Sequence, residues 1–307
     1  IPTGRESRVA FPSIEGEPVV EGIMLNVFLA RSTQCIAAAA APAGPRAPPD
    51  FAIAFVDSTD PNFVAQGVLD LTSVMVIDLQ TNTATAARVG FSANRVLFTY
   101  DAEEQANRAV VLSQNSVAVV DLFASPAEVD VTFPLTLDPD SAVTPVGVEL
   151  TPDGQYALIS VSGKSDLYAL DLVNHSVNMI ELSGTPSSMT VNEATDQTLL
   201  VFSNRATADV LTHDYFDVIS YELDESMNKI AQGDDFALLY SDQTNRSDLY
   251  HLDLTNENLV EYRLQSSAIS VHLAPTQDYA IALTRSAGME LIDLNNERQQ
   301  QFALEGL

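Results

Sequence analysis

The side chains with the most chemical potential in this sequence are four histidines, one cysteine and a few short runs of oxygen donors. Metal-assisted hydrolysis needs His, Asp, Glu or Cys at ligand spacing. His175, His213, His251 and His272 are scattered, with no pair two to four residues apart, and His175 falls in a turn pattern. They are expected to be structural or surface residues. Cys35 stands alone, which excludes an internal disulfide and leaves a free or buried thiol as the expectation. Gly-x-Ser-x-Gly is absent, as are a phosphate-cradling Gly-rich loop and a dinucleotide fingerprint. No catalytic residue and no cofactor site is assigned.

Calcium is the one cofactor with candidate donors. It takes six to eight oxygens from loops. Asp57 and Asp60, in Asp57-Ser58-Thr59-Asp60-Pro61-Asn62, and Asp138 and Asp140, in Asp138-Pro139-Asp140-Ser141, are weak candidates, and Asp242-Gln243-Thr244-Asn245 is a third cluster. None fits the helix–loop–helix calcium pattern, and Asp and Asn favour turns in any acidic chain.

Charge narrows the partners. The formal net charge is −28, from 42 acidic and 14 basic residues. Nucleic acid and anionic lipid both need clustered Lys and Arg, so neither is expected. The balance suits a soluble protein in salty or calcium-containing surroundings, or one that docks a basic partner. The stretch from Val19 to Ala30 contains Glu21 and Asn26 and runs about a dozen residues, short of the roughly 20 a spanning helix needs. It reads as a strand.

The elements that must position any site are repeated strands. An alternating run ending in an acidic residue and Leu recurs as SVMVIDL (73–79), SVAVVDL (116–122), DLYALDL (166–172), DVISYEL (217–223), DLYHLDL (248–254) and GMELIDL (288–294). Its acidic positions, Asp78, Asp121, Asp171, Glu222, Asp253 and Asp293, are 43, 50, 51, 31 and 40 residues apart. A period near 40–45 is that of one four-stranded propeller blade. Residues 145–184 give the clearest unit, with strands at 145–150, 156–161, 166–172 and 176–182 separated by turns such as Thr151-Pro152-Asp153-Gly154. The repeated acidic residue is expected to end its strand and bond the next turn. The short interval after Glu222, in which 224–235 does not read as two strands, predicts an incomplete blade or residues missing from this stretch.

The fold class expected is therefore all-β, a β-propeller of four-stranded blades. Six third strands are visible, and a seventh blade is closed by an N-terminal extension. Residues 1–35 form that segment, with strand-like stretches at 8–11 and 19–29. Residues 36–50 are an Ala/Pro-rich linker, and residues 51–307 carry the propeller repeats.

TSVMVIDLQTNTATAARVG (72–90) and PVGVELTPDGQYALISVSGKSDLYALDL (145–172) resemble the YVTN-type repeat of lactonase-like propellers. Thr151-Pro152-Asp153-Gly154 stands where that family has Ser-Pro-Asp-Gly. Ala274-Pro275-Thr276-Gln277-Asp278 is a degraded copy. The resemblance implies a propeller but carries over no active-site residue. It leaves three functional expectations: a non-enzymatic binding or scaffold propeller holding a protein partner in the bacterial envelope, a lactonase-like hydrolase, and a calcium-dependent adhesive module. The sequence opens at Ile1 without a signal peptide to read. Export to the periplasm, outer membrane or cell exterior is expected from acidity and the habit of the family.

Overall fold

The computed structural model describes residues 35–38, 51–57, 70–101, 106–122, 124, 126–136, 143–286 and 288–303. Among them lie six four-stranded antiparallel sheets, each formed by strands consecutive in sequence. Blade one holds β1 (Cys35–Ala38), β2 (Phe51–Phe55), β3 (Ser73–Asp78) and β4 (Thr83–Arg88). Blade two holds β5 (Arg95–Asp101), β6 (Ala106–Leu112), β7 (Ser116–Asp121) and β8 (Glu128–Pro134). Blade three holds β9 (Pro145–Leu150), β10 (Tyr156–Val161), β11 (Asp166–Asp171) and β12 (Ser176–Glu181). Blade four holds β13 (Ser188–Asn192), β14 (Gln197–Val201), β15 (Thr207–Thr212) and β16 (Val218–Glu222). Blade five holds β17 (Lys229–Gln232), β18 (Phe236–Tyr240), β19 (Asp248–Asp253) and β20 (Asn258–Arg263). Blade six holds β21 (Ala268–Leu273), β22 (Tyr279–Thr284), β23 (Gly288–Asp293) and β24 (Arg298–Ala303). The strands expected at 8–11 and 19–29, and with them the seventh blade, lie outside the described residues. No described helix is long and apolar enough to cross a membrane.

First strands of neighbouring blades lie side by side, as β9 beside β13, β13 beside β17 and β17 beside β21. This ordering makes the second and third strands of each blade the sandwiched ones. In blade three, YALISV and DLYALD are buried at nearly every position, whereas SVNMIE of β12 is exposed at all but Ile180. A strand covered on both faces needs apolar residues at every position, and an outer strand needs them at few. Gly147 on β9 leaves room for Ser160 of β10 and Met189 of β13. A Cβ there would lie 2.7 Å from Ser160 Oγ and 3.3 Å from Met189 Cε.

One repeat was misassigned from sequence. DVISYEL contains the fourth strand of blade four, and Glu222 is exposed at its end. The third strand there is β15, whose terminal Thr212 pairs with Gln197 as Asp171 pairs with Tyr156. The short interval after Glu222 then disappears. Residues 229–232 form β17, paired with β18 from Lys229↔Tyr240 to Gln232↔Ala237, so blade five is complete and no residues are missing. β1 straddles the boundary drawn at residue 35, since Cys35 to Ala38 pair with Phe55 to Ala52.

The repeated acidic residue ends its strand and caps the turn that follows. Asp171 Oδ1 accepts the amides of Val173 and Asn174 at 2.9 and 2.7 Å. Asp253 Oδ1 accepts those of Thr255 and Asn256 at 2.9 Å, and its Oδ2 accepts Asn256 Nδ2 at 2.9 Å. Asp78 and Asp293 bond their turns likewise. The residue before the fourth strand is then left-handed: Asn82, His175, Glu257 and Glu297 have φ between 52 and 56°. The carboxylate's bonds offset the cost of holding an L-residue there.

Asp253→Ala should lower stability by about 1–3 kcal/mol in urea unfolding, because two amides lose their acceptor. Asp253→Asn, which keeps Oδ1, should lose less than half of that. Leu158→Ala, at a fully buried position, should cost about 2–5 kcal/mol. Met179→Ala, 70% exposed on β12, should stay within about 0.5 kcal/mol of wild type in the same assay.

Candidate interaction surface

Several polar side chains tie one blade to the next or to the loop between them. The third residue of a third strand reaches the loop that leads into its own blade. Asp209, completely buried on β15, accepts Ser183 N at 2.7 Å, Ser183 Oγ at 2.6 Å and Ser220 Oγ at 2.7 Å. One repeat on, the hydroxyl of Tyr250 accepts Asp224 N at 2.9 Å. In blade six, Glu290 accepts Gln265 N at 2.7 Å and bonds Gln299 Nε2. First strands are tied in the same way: Thr190 Oγ1 donates to Gln232 Oε1 at 2.6 Å, and Asn192 Nδ2 donates to Gly233 O at 3.1 Å. Arg95 reaches Val148 O at 3.4 Å, and its charge partly opposes the burial that raises the pKa of Glu149 on β9.

His213 and His251 are engaged within their blades, and His272 lies at the surface. His213 bonds Asp196 Oδ1 through Nδ1 at 2.7 Å and Thr198 Oγ1 through Nε2 at 2.7 Å. Carboxylate, imidazole and hydroxyl in that order would be a nucleophile relay. Thr198 is wholly buried, however, so no substrate reaches its oxygen, and the trio locks two turns of blade four to β14. This contact was invisible in sequence because only blade four carries it. His251 packs edge-on against Phe236 at 4.8 Å, and burial lowers its pKa against the pull of Asp253, Asp235 and Glu297. His272 is exposed on β21 and bonds Ser270 Oγ at 3.0 Å.

Of the calcium candidates, Asp57 is half-buried just beyond β2, while Asp60, Asp138 and Asp140 lie outside the described residues. Asp242 is engaged otherwise. Its Oδ1 accepts Asn228 Nδ2 at 2.7 Å and its Oδ2 lies 3.6 Å from Lys229 Nζ, contacts that lower its pKa. Among the described residues, no group of three or more His, Cys, Asp or Glu could hold a metal ion.

What the fold does bring together is charge. Strands alternate in direction, so the turns joining strands 1 to 2 and 3 to 4 of every blade share one end, the hairpin end. Contacts such as Asn192 to Gly233 and Asp234 N to Gln277 Oε1, at 2.8 Å, join these turns between neighbouring blades. The 1–2 turns carry Asp153, Asp196, Asp234, Asp235 and Asp278, and the 3–4 turns add Asp214, Asp217, Glu257 and Glu297. None of the described hairpin turns contains a Lys or Arg. While Arg298, which opens β24, stands at the hairpin end, most described cations lie at the opposite end, interspersed there with Asp70, Asp166, Glu181, Asp224, Asp242 and Asp248. Lys164, Arg205 and Arg246 each stand two residues before a third strand in consecutive blades, and Arg285 lies in the matching loop of blade six. Arg88 and Arg263 end fourth strands there, and Arg95 and Lys229 open first strands.

No protein-family model and no curated protein matches the chain. Solved structures do. Dihydro-heme d1 dehydrogenase NirN, in complex with DHE, aligns at TM-score 0.53 and 11% identity over 88% of this chain, which spans only 57% of that one. Hydrazine synthase from Kuenenia stuttgartiensis aligns at TM-score 0.47 and 12% identity, over 84% of this chain and 76% of its own. A functionally unknown protein from Desulfotomaculum acetoxidans DSM 771 aligns at 0.45 and 12%, over 76% of each chain. Likeness at such identities concerns the fold alone. With the six four-stranded sheets, the likeness to NirN makes this chain a β-propeller protein.

One carboxylate sits at a cost. Asp248 is buried at the start of β19, its Oδ1 lacks a hydrogen bond, and the nearest cation, Arg263 Nε, is 4.0 Å away. Burial first, then Glu225 and Glu261, raise its pKa. The native state therefore holds this proton to higher pH than the unfolded chain does, and stability falls as pH rises from the ordinary carboxylate value of 3.8 through the raised one. Asp248→Asn should raise the urea midpoint at pH 7 and flatten that part of the stability–pH curve.

Proposed function

We propose that this propeller is a non-enzymatic binding module of the bacterial cell envelope, and that its hairpin end receives a cationic protein partner. The observation that carries this reading is the acidity of the hairpin end, with carboxylates on every 1–2 turn from blade three to blade six and no Lys or Arg within the described hairpin turns, the cation Arg298 standing just beyond the last of them. Opposed potentials steer encounter and reject like-charged partners. A face assembled from many short turns on a rigid scaffold suits a broad partner surface better than a small substrate. The YVTN-type assignment of the repeat and the exported location belong to the same proposal, supported by the phrases at 72–90 and 145–172 and by the net charge of −28.

The test compares two charge-reversed proteins in isolation from native envelopes. Asp153→Lys/Asp234→Lys/Asp278→Lys alters the hairpin end, and Lys164→Glu/Arg205→Glu/Arg246→Glu alters the other. The first should lose its stoichiometric partner, with affinity in the wild type falling steeply as salt rises, while the second should keep it. A partner retained by the hairpin-end protein, or a wild type recovered alone at low salt, would overturn the reading.

A further inference from the structure

The fourth strand of each blade is its outer edge, and one row of its backbone groups has no partner among the described strands. On β12 the hydrogen bonds identify that row. Leu182 N donates to Ser165 O at 3.0 Å, so Leu182, Ile180, Asn178 and Ser176 bond toward β11. Val177, Met179 and Glu181 therefore turn their N–H and C=O groups outward. Two of the same residues carry this strand's exposed large apolar side chains: Met179 is 70% exposed and Val177 41%. Ile180, on the other face of the sheet, is buried.

The other described edges are blunted. β20 turns out Leu259, Glu261 and Arg263, because Leu264 N bonds Ser247 O, and β16 turns out Val218, Ser220 and Glu222, because Thr212 N bonds Asp217 O. β8 is bulged against β7 between Val119 and Val120 and carries Glu128, Asp130 and Pro134. β4 offers Thr, Ala and Arg88, and β24 offers Arg298 and a run of glutamines. Charges, proline and bulges on an edge oppose pairing with another chain. β12 has a single charge, Glu181, and it stands at the end of the strand.

We propose that β12 pairs antiparallel with β12 of a second copy, about a twofold axis through Asn178. The strand is complementary to itself in this register. Side chains directly opposed in an antiparallel pair share a face. Centred on Asn178, Val177 lies opposite Met179 of the other copy and Met179 opposite its Val177, and each pair can exchange both backbone bonds. A centre at Val177 would set Met179 against His175, and one at Met179 would set Val177 against Glu181. In the Asn178 register Glu181 meets His175, an imidazole rather than a second carboxylate. The antiparallel direction also lays the acidic hairpin end of each copy beside the end that carries Lys164 in the other. Both hairpin ends stay open to a cationic partner.

Sedimentation of the full chain should show a monomer–dimer equilibrium that tightens as salt rises, because two copies of net charge −28 repel less when screened. A charge on the pairing edge opposes it, so Met179→Lys should weaken the dimer about tenfold or more. Met179→Pro, which removes an outward N–H, should act in the same direction. Ile269→Lys, at an exposed apolar residue of β21, should leave the dimer unchanged. Melting curves check that each variant is folded. The register is read with Cys35→Ser/Asn178→Cys, whose new thiols face each other across the axis and should close an intermolecular disulfide on mild oxidation. Cys35→Ser/Ser176→Cys, opposite Ile180, should not. A folded wild type that stays monomeric at every concentration and salt would overturn the proposal. So would a dimer untouched by Met179→Lys, or a dimer that never cross-links at position 178.

Discussion

Every described blade of this protein has two apolar faces, and none buries both by itself. That constraint governs the rest. A sheet with residues such as Leu158 on one side and Ile159 on the other, both fully buried, is stable only between neighbours. Burial of each such side chain contributes about 1.5–3 kcal/mol, so cohesion comes mainly from contacts between repeats. The polar ties follow from the same arrangement. Loops crossing from one blade to the next leave backbone amides between sheets, and Asp209, Tyr250 and Glu290 supply the acceptors they need.

The architecture was legible where the repeat obeys simple patterning. Blade three was read almost to the residue because its turns are marked by Asp153-Gly154 and Ser162-Gly163 and its strands alternate cleanly. Blade four defeated the same approach. Its third strand, TADVLT, carries a carboxylate in mid-strand and ends in Thr, while its fourth strand, VISYE, imitates the repeated phrase. Hydropathy patterning cannot tell a buried, triply bonded Asp209 from an exposed one. β17, only four residues long and holding Lys229 and Gln232, lacks the apolar weight that marks a strand.

The charged surface was less legible than the fold, for a geometrical reason. Acidic and basic residues alternate along the chain with no evident grouping. Only the direction of each strand assigns a turn to one end or the other. Once that is known, Lys164, Arg205 and Arg246 coincide in repeat position, and the carboxylates of the hairpin turns separate from them. Among the described residues the hairpin turns are thus acidic without cations of their own, a grouping that composition alone conceals.

The capped turns carry an evolutionary consequence. In blades one, three, five and six, a single carboxylate at the end of the third strand holds the turn after it, and the positive-φ position accepts Asn, His and Glu alike. Backbone geometry at these tips is set from the strand, so the tip side chains are largely released from structural duty. Recognition can then be rewritten one turn at a time, by ordinary substitutions, without reopening the problem of how the scaffold folds.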